Sequence, residues 1–119
     1  HSYLLTGDAE RDLENSLVSG NLLRPTDVLK VGHHGSKTST HSPLLDAARP
    51  AFAVISVGYQ NRFHHPHRDV LRRLEERRIE VHRTDLEGFV SILTDGRRFR
   101  TITGRLSPGW DAVPGSPWF

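Results

Sequence analysis

Apolar positions come in short runs and helical stripes that alternate along most of the chain. Tyr3-Leu4-Leu5-Thr6 is a brief apolar run halted by Gly7-Asp8, the pattern of a buried strand leading into a turn. Leu13, Leu17 and Val18 fall on one helical stripe within residues 9–18, and Ser19-Gly20-Asn21 supplies a stop. A second strand, Asp27 to Val31, runs directly into Gly32-His33-His34-Gly35-Ser36. After a polar loop the pattern predicts a short helix from Pro43 to Ala48, with proline in its first turn, then an apolar strand from Phe52 to Val57. His67 to Arg78 carries Val70, Leu71 and Leu74 at helical spacing, with Asp69 where a negative charge suits the helix dipole. Strands at Glu80–Arg83, Gly88–Leu93 and Arg98–Ile102 close the pattern, the last two joined by the hairpin signal Asp95-Gly96.

This order predicts an α/β class: helices packed on a sheet of mixed direction. The leading strand has nothing before it to cover its face or edge. An open edge is a liability unless something pairs with it. The reading therefore expects a partner there, either a preceding half of the same domain or a second copy of the chain. Residues 3–105 form the expected domain, and the Pro-, Gly- and Ser-rich residues 106–119 read as a surface tail.

Composition narrows the function classes. The chain has no cysteine, which excludes disulfides and thiolate metal sites. It has no methionine, so it does not begin at a natural initiator and reads as a piece of something longer. No apolar run approaches the roughly 18 residues of a membrane span. Net charge is only +2, but Arg62, Arg68, Arg72, Arg73, Arg77, Arg78 and Arg83 crowd one stretch, followed by Arg97, Arg98, Arg100 and Arg105. Arginine suits phosphate, so an anionic partner is one reading; a solvated helix face with local Glu partners is the other.

The chemistry-bearing side chains follow strand ends. Asp8 follows the first strand, His33 and His34 the second, and Asn61, His65 and His67 the third. Layered α/β folds collect ligands outside the carboxyl ends of parallel strands. A carboxylate with neutral imidazoles suits a borderline-soft divalent ion such as zinc. Adjacent residues of an extended chain face opposite sides, so one of His33 and His34 reaches a given metal while the other packs. Ser36, Lys37, Thr38, Ser39 and Thr40 offer hydroxyls and a cation to phosphate oxygens, without the glycine spacing of a Walker loop. Each cluster also has a plainer reading. Thr6-Gly7-Asp8 is a common turn or helix cap, and His64-His65-Pro66-His67 and the Ser/Thr stretch are ordinary polar loops. His41 and His82 are given no functional role.

Taken in order, three blocks go beyond general chemistry: Leu4 to Asp8, Asp27 to Ser39, and Ala53 to Tyr59. With Asn61-Arg62-Phe63, His65-Pro66-His67 and Arg83-Thr84-Asp85, they closely resemble the end of the hydrolase domain of the ComEC family of DNA-uptake proteins. The resemblance spans about residues 3–94. It implies the C-terminal half of a metallo-β-lactamase-type αβ/βα sandwich. Asp8 would match a metal-bridging aspartate and His33 or His34 a later metal ligand. His65 and His67 would line the site for substrate phosphate or proton transfer, with Ser36, Lys37, Asn61 and Arg62 contacting phosphate.

The implied cofactor is one or two divalent ions, zinc or manganese, completed by ligands outside this chain. The implied activity is a DNA phosphodiesterase or nuclease in a bacterial membrane protein, with this domain on the extracytoplasmic side. Two departures stand out. His64 occupies a usual glycine position, and the upstream His-x-His-x-Asp-His type cluster is absent. The chain alone is therefore expected to be inactive. The competing expectations are a hydrolase of another ester on the same fold and a DNA-binding module with a vestigial metal site.

Overall fold

The computed structural model describes residues 1–104; the expected tail, residues 106–119, lies outside the described residues. Four parallel strands, β1 (Tyr3–Leu5), β2 (Val28–Lys30), β3 (Phe52–Ile55) and β4 (Glu80–Arg83), pair in chain order. Helices α1 (Arg11–Ser19), α2 (Ser42–Ala48) and α3 (Arg68–Glu76) make the crossovers that parallel pairing requires. A short helix, α4 (Thr84–Glu87), leads from β4 into a separate antiparallel hairpin of β5 (Phe89–Thr94) and β6 (Phe99–Gly104).

The chain is thus α/β, but the two strand directions are not mixed in one sheet. The physical reason lies at the junction. Helix α4 and Gly88, held at φ +80°, turn the chain away from β4 before β5 begins. A positive φ of that kind is cheap only for glycine.

Register shows which face is buried. Leu4, Leu29 and Ala53 pair across the sheet, with Val81 beyond them, and Ile55 follows Ala53 on the same side. This face packs on Leu44, Leu45, Val70 and Leu74 from α2 and α3 to form the core. Each fully buried Leu or Ile there contributes roughly 1.5–3 kcal/mol. The opposite face carries Tyr3, Val28 and Phe52 in register. Phe99 of β6 covers its amino-terminal end, with ring centroids 6.2 Å from Tyr3 and 5.6 Å from Phe52. Strand β1 stands at the sheet edge with β2 as its neighbour, and Leu5 on it is 72% exposed.

Helix α3 forms where its sequence predicts. His67 caps it by accepting a hydrogen bond at Nδ1 from the Asp69 N–H, and Val70 and Leu74 bury one face. Helix α1 departs from its apolar pattern. Leu13 is 54% exposed, Leu17 and Val18 are half-buried, and the residue sent inward is Glu14. Its carboxylate accepts the N–H groups of Thr40 and His41 and the Nδ1 proton of His41. The start of α2 has no side-chain cap of its own, so this carboxylate satisfies donors that would otherwise be buried unpaired. Polar satisfaction, not apolar burial, fixes how α1 docks.

Among the described residues, no helix is long and apolar enough to cross a membrane.

Candidate functional site

The loops after β1, β2 and β3 meet at the carboxyl ends of the parallel strands. The His33 N–H donates to the Gly7 carbonyl at 2.9 Å, which ties the histidine turn to the Gly7-Asp8 turn. The Thr6 hydroxyl donates to the Lys30 carbonyl at 2.9 Å and closes the same corner. On the other side, the His67 N–H donates to the Gly35 carbonyl at 2.8 Å and docks the histidine-rich loop. Gly35 sits at φ +81°, and a Cβ there would lie 2.5 Å from Pro66 Cβ. Only glycine allows this contact. The bond between His65 and Pro66 is cis. Asp8, His33, His34, His65 and His67 therefore share one rim.

The histidine pair differs from the extended-chain expectation. His33 (φ +47°, ψ +42°) and His34 (φ +56°, ψ +23°) are consecutive left-handed residues, so they do not alternate across a strand. Left-handed backbone at non-glycine positions is costly and concentrates where the surroundings enforce it. The consequence is that both rings stand at the rim, with centroids 6.5 Å apart.

Each ring of the pair is held through Nδ1. His34 Nδ1 lies 2.7 Å from the Ser56 carbonyl oxygen, which only accepts, so Nδ1 carries the proton. His33 Nδ1 lies 2.9 Å from Glu10 Oε1 and donates to that carboxylate. In the neutral form of each ring, Nε2 is then left as a bare lone pair. Tying Nδ1–H to a carbonyl or carboxylate is the arrangement that orients an imidazole to ligate a metal through Nε2. His67 has the opposite tautomer. Its Nδ1 accepts from Asp69, so in the neutral ring the proton sits on Nε2, which is a donor.

His65 is set between them. Its ring centroid lies 6.2 Å from that of His33, and its Nδ1 is buried without a hydrogen-bond partner. Burial, then the neighbouring charges of His33, His34 and His67, hold its pKa below the ordinary 6.5. The neutral ring is the favoured form.

The residues expected to contact phosphate divide. Lys37 is exposed, and together with Asp8, Glu10 and Thr38 it lines an open cavity of about 860 Å³. Ser36 is buried and shares a 2.9 Å hydrogen bond with the Thr38 hydroxyl. The Asn61 side chain turns into its own loop, donating to the His65 carbonyl at 2.7 Å and accepting the His65 N–H at 2.9 Å. It braces His65. Arg62 is exposed, its guanidinium 4.9 Å from the centre of the Phe63 ring.

Two positions carry local roles that the sequence reading missed. Glu10 bonds both His33 Nδ1 and, at 3.1 Å, the Thr38 hydroxyl. In sequence it is only an acid near a helix start. Thr84 accepts the Val57 N–H at 2.8 Å and donates to the Val57 carbonyl, so the segment after β3 is pinned to the end of β4. His41, beside Glu14, and His82, between Glu80 and Glu87, make structural hydrogen bonds to those carboxylates.

Among the described residues, no group of three or more His, Cys, Asp or Glu side chains converges to hold a metal. The donors nonetheless fit a divalent ion in kind: two imidazoles with Nε2 free, beside a turn that carries an exposed carboxylate at Asp8.

Fold and rim define an α/β protein with a histidine-rich polar site at the carboxyl ends of a parallel sheet. No protein-family model matches the chain. It is similar to ComE operon protein 3 of Bacillus subtilis, at 45% identity over 89 residues, covering 75% of this chain and 12% of that protein. Recombination protein 2 of Haemophilus influenzae is 39% identical over 117 residues, covering 97% of this chain and 15% of that protein. Competence protein ComA of Neisseria gonorrhoeae is 44% identical over 88 residues, covering 71% of this chain and 12% of that protein. The chain belongs to the ComEC family of competence proteins for DNA uptake. It spans between 12% and 15% of the length of these relatives.

Proposed function

We propose that this rim is part of a metal-dependent hydrolytic centre that cuts DNA phosphodiester bonds during uptake, within a membrane protein that places it outside the cytoplasm. The observation that carries the reading is the matched pair of imidazoles. His33 and His34 each give Nδ1–H to a protein acceptor and keep Nε2 bare, beside the turn that carries Asp8. Asp8, His33 and His34 would hold zinc or manganese, one or two ions, together with donors beyond the described residues. When bound, such an ion supplies Lewis acidity and lowers the pKa of an attacking water.

The chain's own residues do the rest. Lys37, exposed beside Asp8, neutralises phosphate oxygens. His67 Nε2–H donates a hydrogen bond toward a phosphate oxygen, and either His65 or His67, once it has taken up a proton, gives that proton to the leaving oxygen. The α/β fold, the metallo-β-lactamase resemblance and the competence family all support this reading.

The test uses a protein of the relatives' full length that carries this chain, a labelled DNA substrate, and manganese or zinc. Metal-dependent cleavage that is lost in Asp8→Ala and His34→Ala, but kept in the distant His82→Ala, is the expected result. Cleavage equal in all variants, or none with any divalent ion, overturns it.

A further inference from the structure

We infer that the cavity where α1, α2 and α3 meet is a site for a phosphate dianion, free or as a terminal monoester, gripped by Arg11 and Arg73. It lies outside the histidine rim, and nothing in it depends on a metal there.

The cavity measures about 360 Å³ and is lined by Arg11 and Asn15 of α1, His41 and Ser42 at the start of α2, and Arg73 of α3. Arg11 and Asn15 are four positions apart on one helix and so share a face. No Asp or Glu lines the cavity among the described residues.

Its two arginines lack the partners that others have. Arg72, Arg77 and Arg83 each form an ion pair with a carboxylate, and Arg11 and Arg73 form none among the described residues. Arg11 Nη2 donates instead to Nε2 of the buried His41 at 3.1 Å, while His41 Nδ1 donates to Glu14 at 3.0 Å. The imidazole positions the guanidinium without neutralising it. Arg73 spends Nε and Nη2 on the Thr40 and Ser39 carbonyls, which leaves Nη1 for a ligand. Burial lowers the pKa of Arg73; Asp69 and Glu14 act against that, and Arg72 and Arg11 add to it. The guanidinium stays charged all the same. Neither nearby acid is free. Glu14 accepts from Thr40 and His41, and Asp69 lies 3.6 Å from Arg72.

Charge and shape select the ligand. Planar guanidinium forks match oxyanions. A carboxylate or a phosphodiester brings one negative charge, enough for one arginine. A phosphate monoester brings about 1.5 to 2 negative charges at neutral pH and three strong acceptor oxygens. It can therefore engage both guanidiniums, with the Asn15 amide and the Ser42 hydroxyl as further donors. Arg11 also lines the open cavity that holds Asp8 and Lys37, and its N–H donates to the Thr38 carbonyl at 3.1 Å. An occupied site thus adjoins the rim through one residue.

An NMR titration of the chain with inorganic phosphate tests this, at constant ionic strength and mildly alkaline pH. Phosphate should shift the Arg73 Nε–H and the His41 ring resonances in a saturable way and leave those of His82 in place. Acetate and dimethyl phosphate, each a monoanion, should bind at least about tenfold more weakly, the loss of one charged hydrogen bond. Arg11→Ala should weaken phosphate binding by a similar factor, with circular dichroism confirming its fold. Should that variant unfold, Arg11→Lys, which keeps the charge and loses the fork, reads the site by weaker binding. Glycerol phosphate identifies the source: tighter binding than inorganic phosphate supports a monoester ligand, and weaker binding supports the free ion. Acetate or dimethyl phosphate binding as tightly as phosphate, undiminished binding by the folded Arg11 variants, or no saturable shift overturns the site.

Discussion

Glu14 and Arg73 grip the same stretch of backbone. The carboxylate takes the N–H groups of Thr40 and His41, while the guanidinium donates to the carbonyls of Ser39 and Thr40 at 3.0 and 2.9 Å. Thr40 sits at φ +54°, a conformation that its own residue type disfavours. Two charged side chains, 59 positions apart in the chain, thus hold one strained segment between α1 and α3, just beyond the histidine turn.

Glu14→Ala removes the acceptor for three donors and takes from Arg73 one of its two nearby anions, leaving Asp69. Loss of one partner from a buried charged network costs about 3–5 kcal/mol. Glu14→Gln keeps one acceptor oxygen and should cost less. Urea denaturation followed by circular dichroism checks the order, with Ala below Gln below wild type. If Glu14→Ala were as stable as wild type, the carboxylate would have no role in docking α1.

Gly35→Ala tests how the histidine loop is seated. The new Cβ would meet Pro66 Cβ at 2.5 Å and Pro66 Cα at 2.9 Å, and alanine resists φ +81°. Backbone cost and displaced loop together should destabilise the chain by about 1–3 kcal/mol. The more telling readout is local. The His65 and His67 ring resonances should shift strongly in an NMR spectrum, while those of His82 stay in place. Unmoved His65 and His67 resonances would mean that Pro66 does not rest on Gly35.

Much of this architecture was legible in the sequence, and the failures have physical causes. Strands β1 to β4 and helices α2 and α3 follow their apolar patterns because local pattern and burial agree there, as Val70 and Leu74 show in α3. Helix α1 misled because Glu14 is buried for its hydrogen bonds, which no periodicity reports. The mixed sheet is not formed because α4 and Gly88 carry the chain away from β4, and β5 pairs with β6 alone. The rim was legible as three polar clusters after strand ends. What it lacked were the side chains and carbonyls that set tautomers. Glu10 and Ser56 act on His33 and His34 from 23 and 22 positions away, a relationship that spacing cannot carry.

His65 gives the chain a pH dependence whose sign is fixed. Burial is the largest cause of its lowered pKa, with His33, His34 and His67 acting the same way. The unfolded chain titrates near the ordinary histidine value of about 6.5. Between the two values the unfolded state binds more protons, so stability rises with pH through that window. The contribution is fully present above about 6.5 and is lost as pH falls toward the native value. NMR titration of the metal-free chain should place the His65 midpoint below 6.5. His65→Phe should remove this part of the acid loss of stability. A midpoint above 6.5 would mean that the ring is solvated or paired with an anion.

Glu10 is the residue through which the metal reading can be tested without activity. Its carboxylate accepts the Nδ1 proton of His33 at 2.9 Å, and that bond leaves Nε2 bare. Neutral imidazole is free to carry its proton on either nitrogen, so the tautomer is set by the partner. Glu10→Ala should therefore move the proton of His33 toward Nε2, seen as exchanged ¹⁵N shifts of its ring nitrogens. His34 supplies the internal control, because its Nδ1 donates to a backbone carbonyl that the substitution leaves intact. In the full-length protein the same change should weaken metal affinity about 10- to 100-fold, the usual cost of losing an orienting carboxylate. Glu10→Gln separates orientation from charge, since its amide oxygen still accepts from Nδ1 and should keep the tautomer while lowering the basicity of Nε2. If Glu10→Ala left the His33 tautomer unchanged, the carboxylate would be a bystander, and His34 alone would remain as the prepared ligand of the pair.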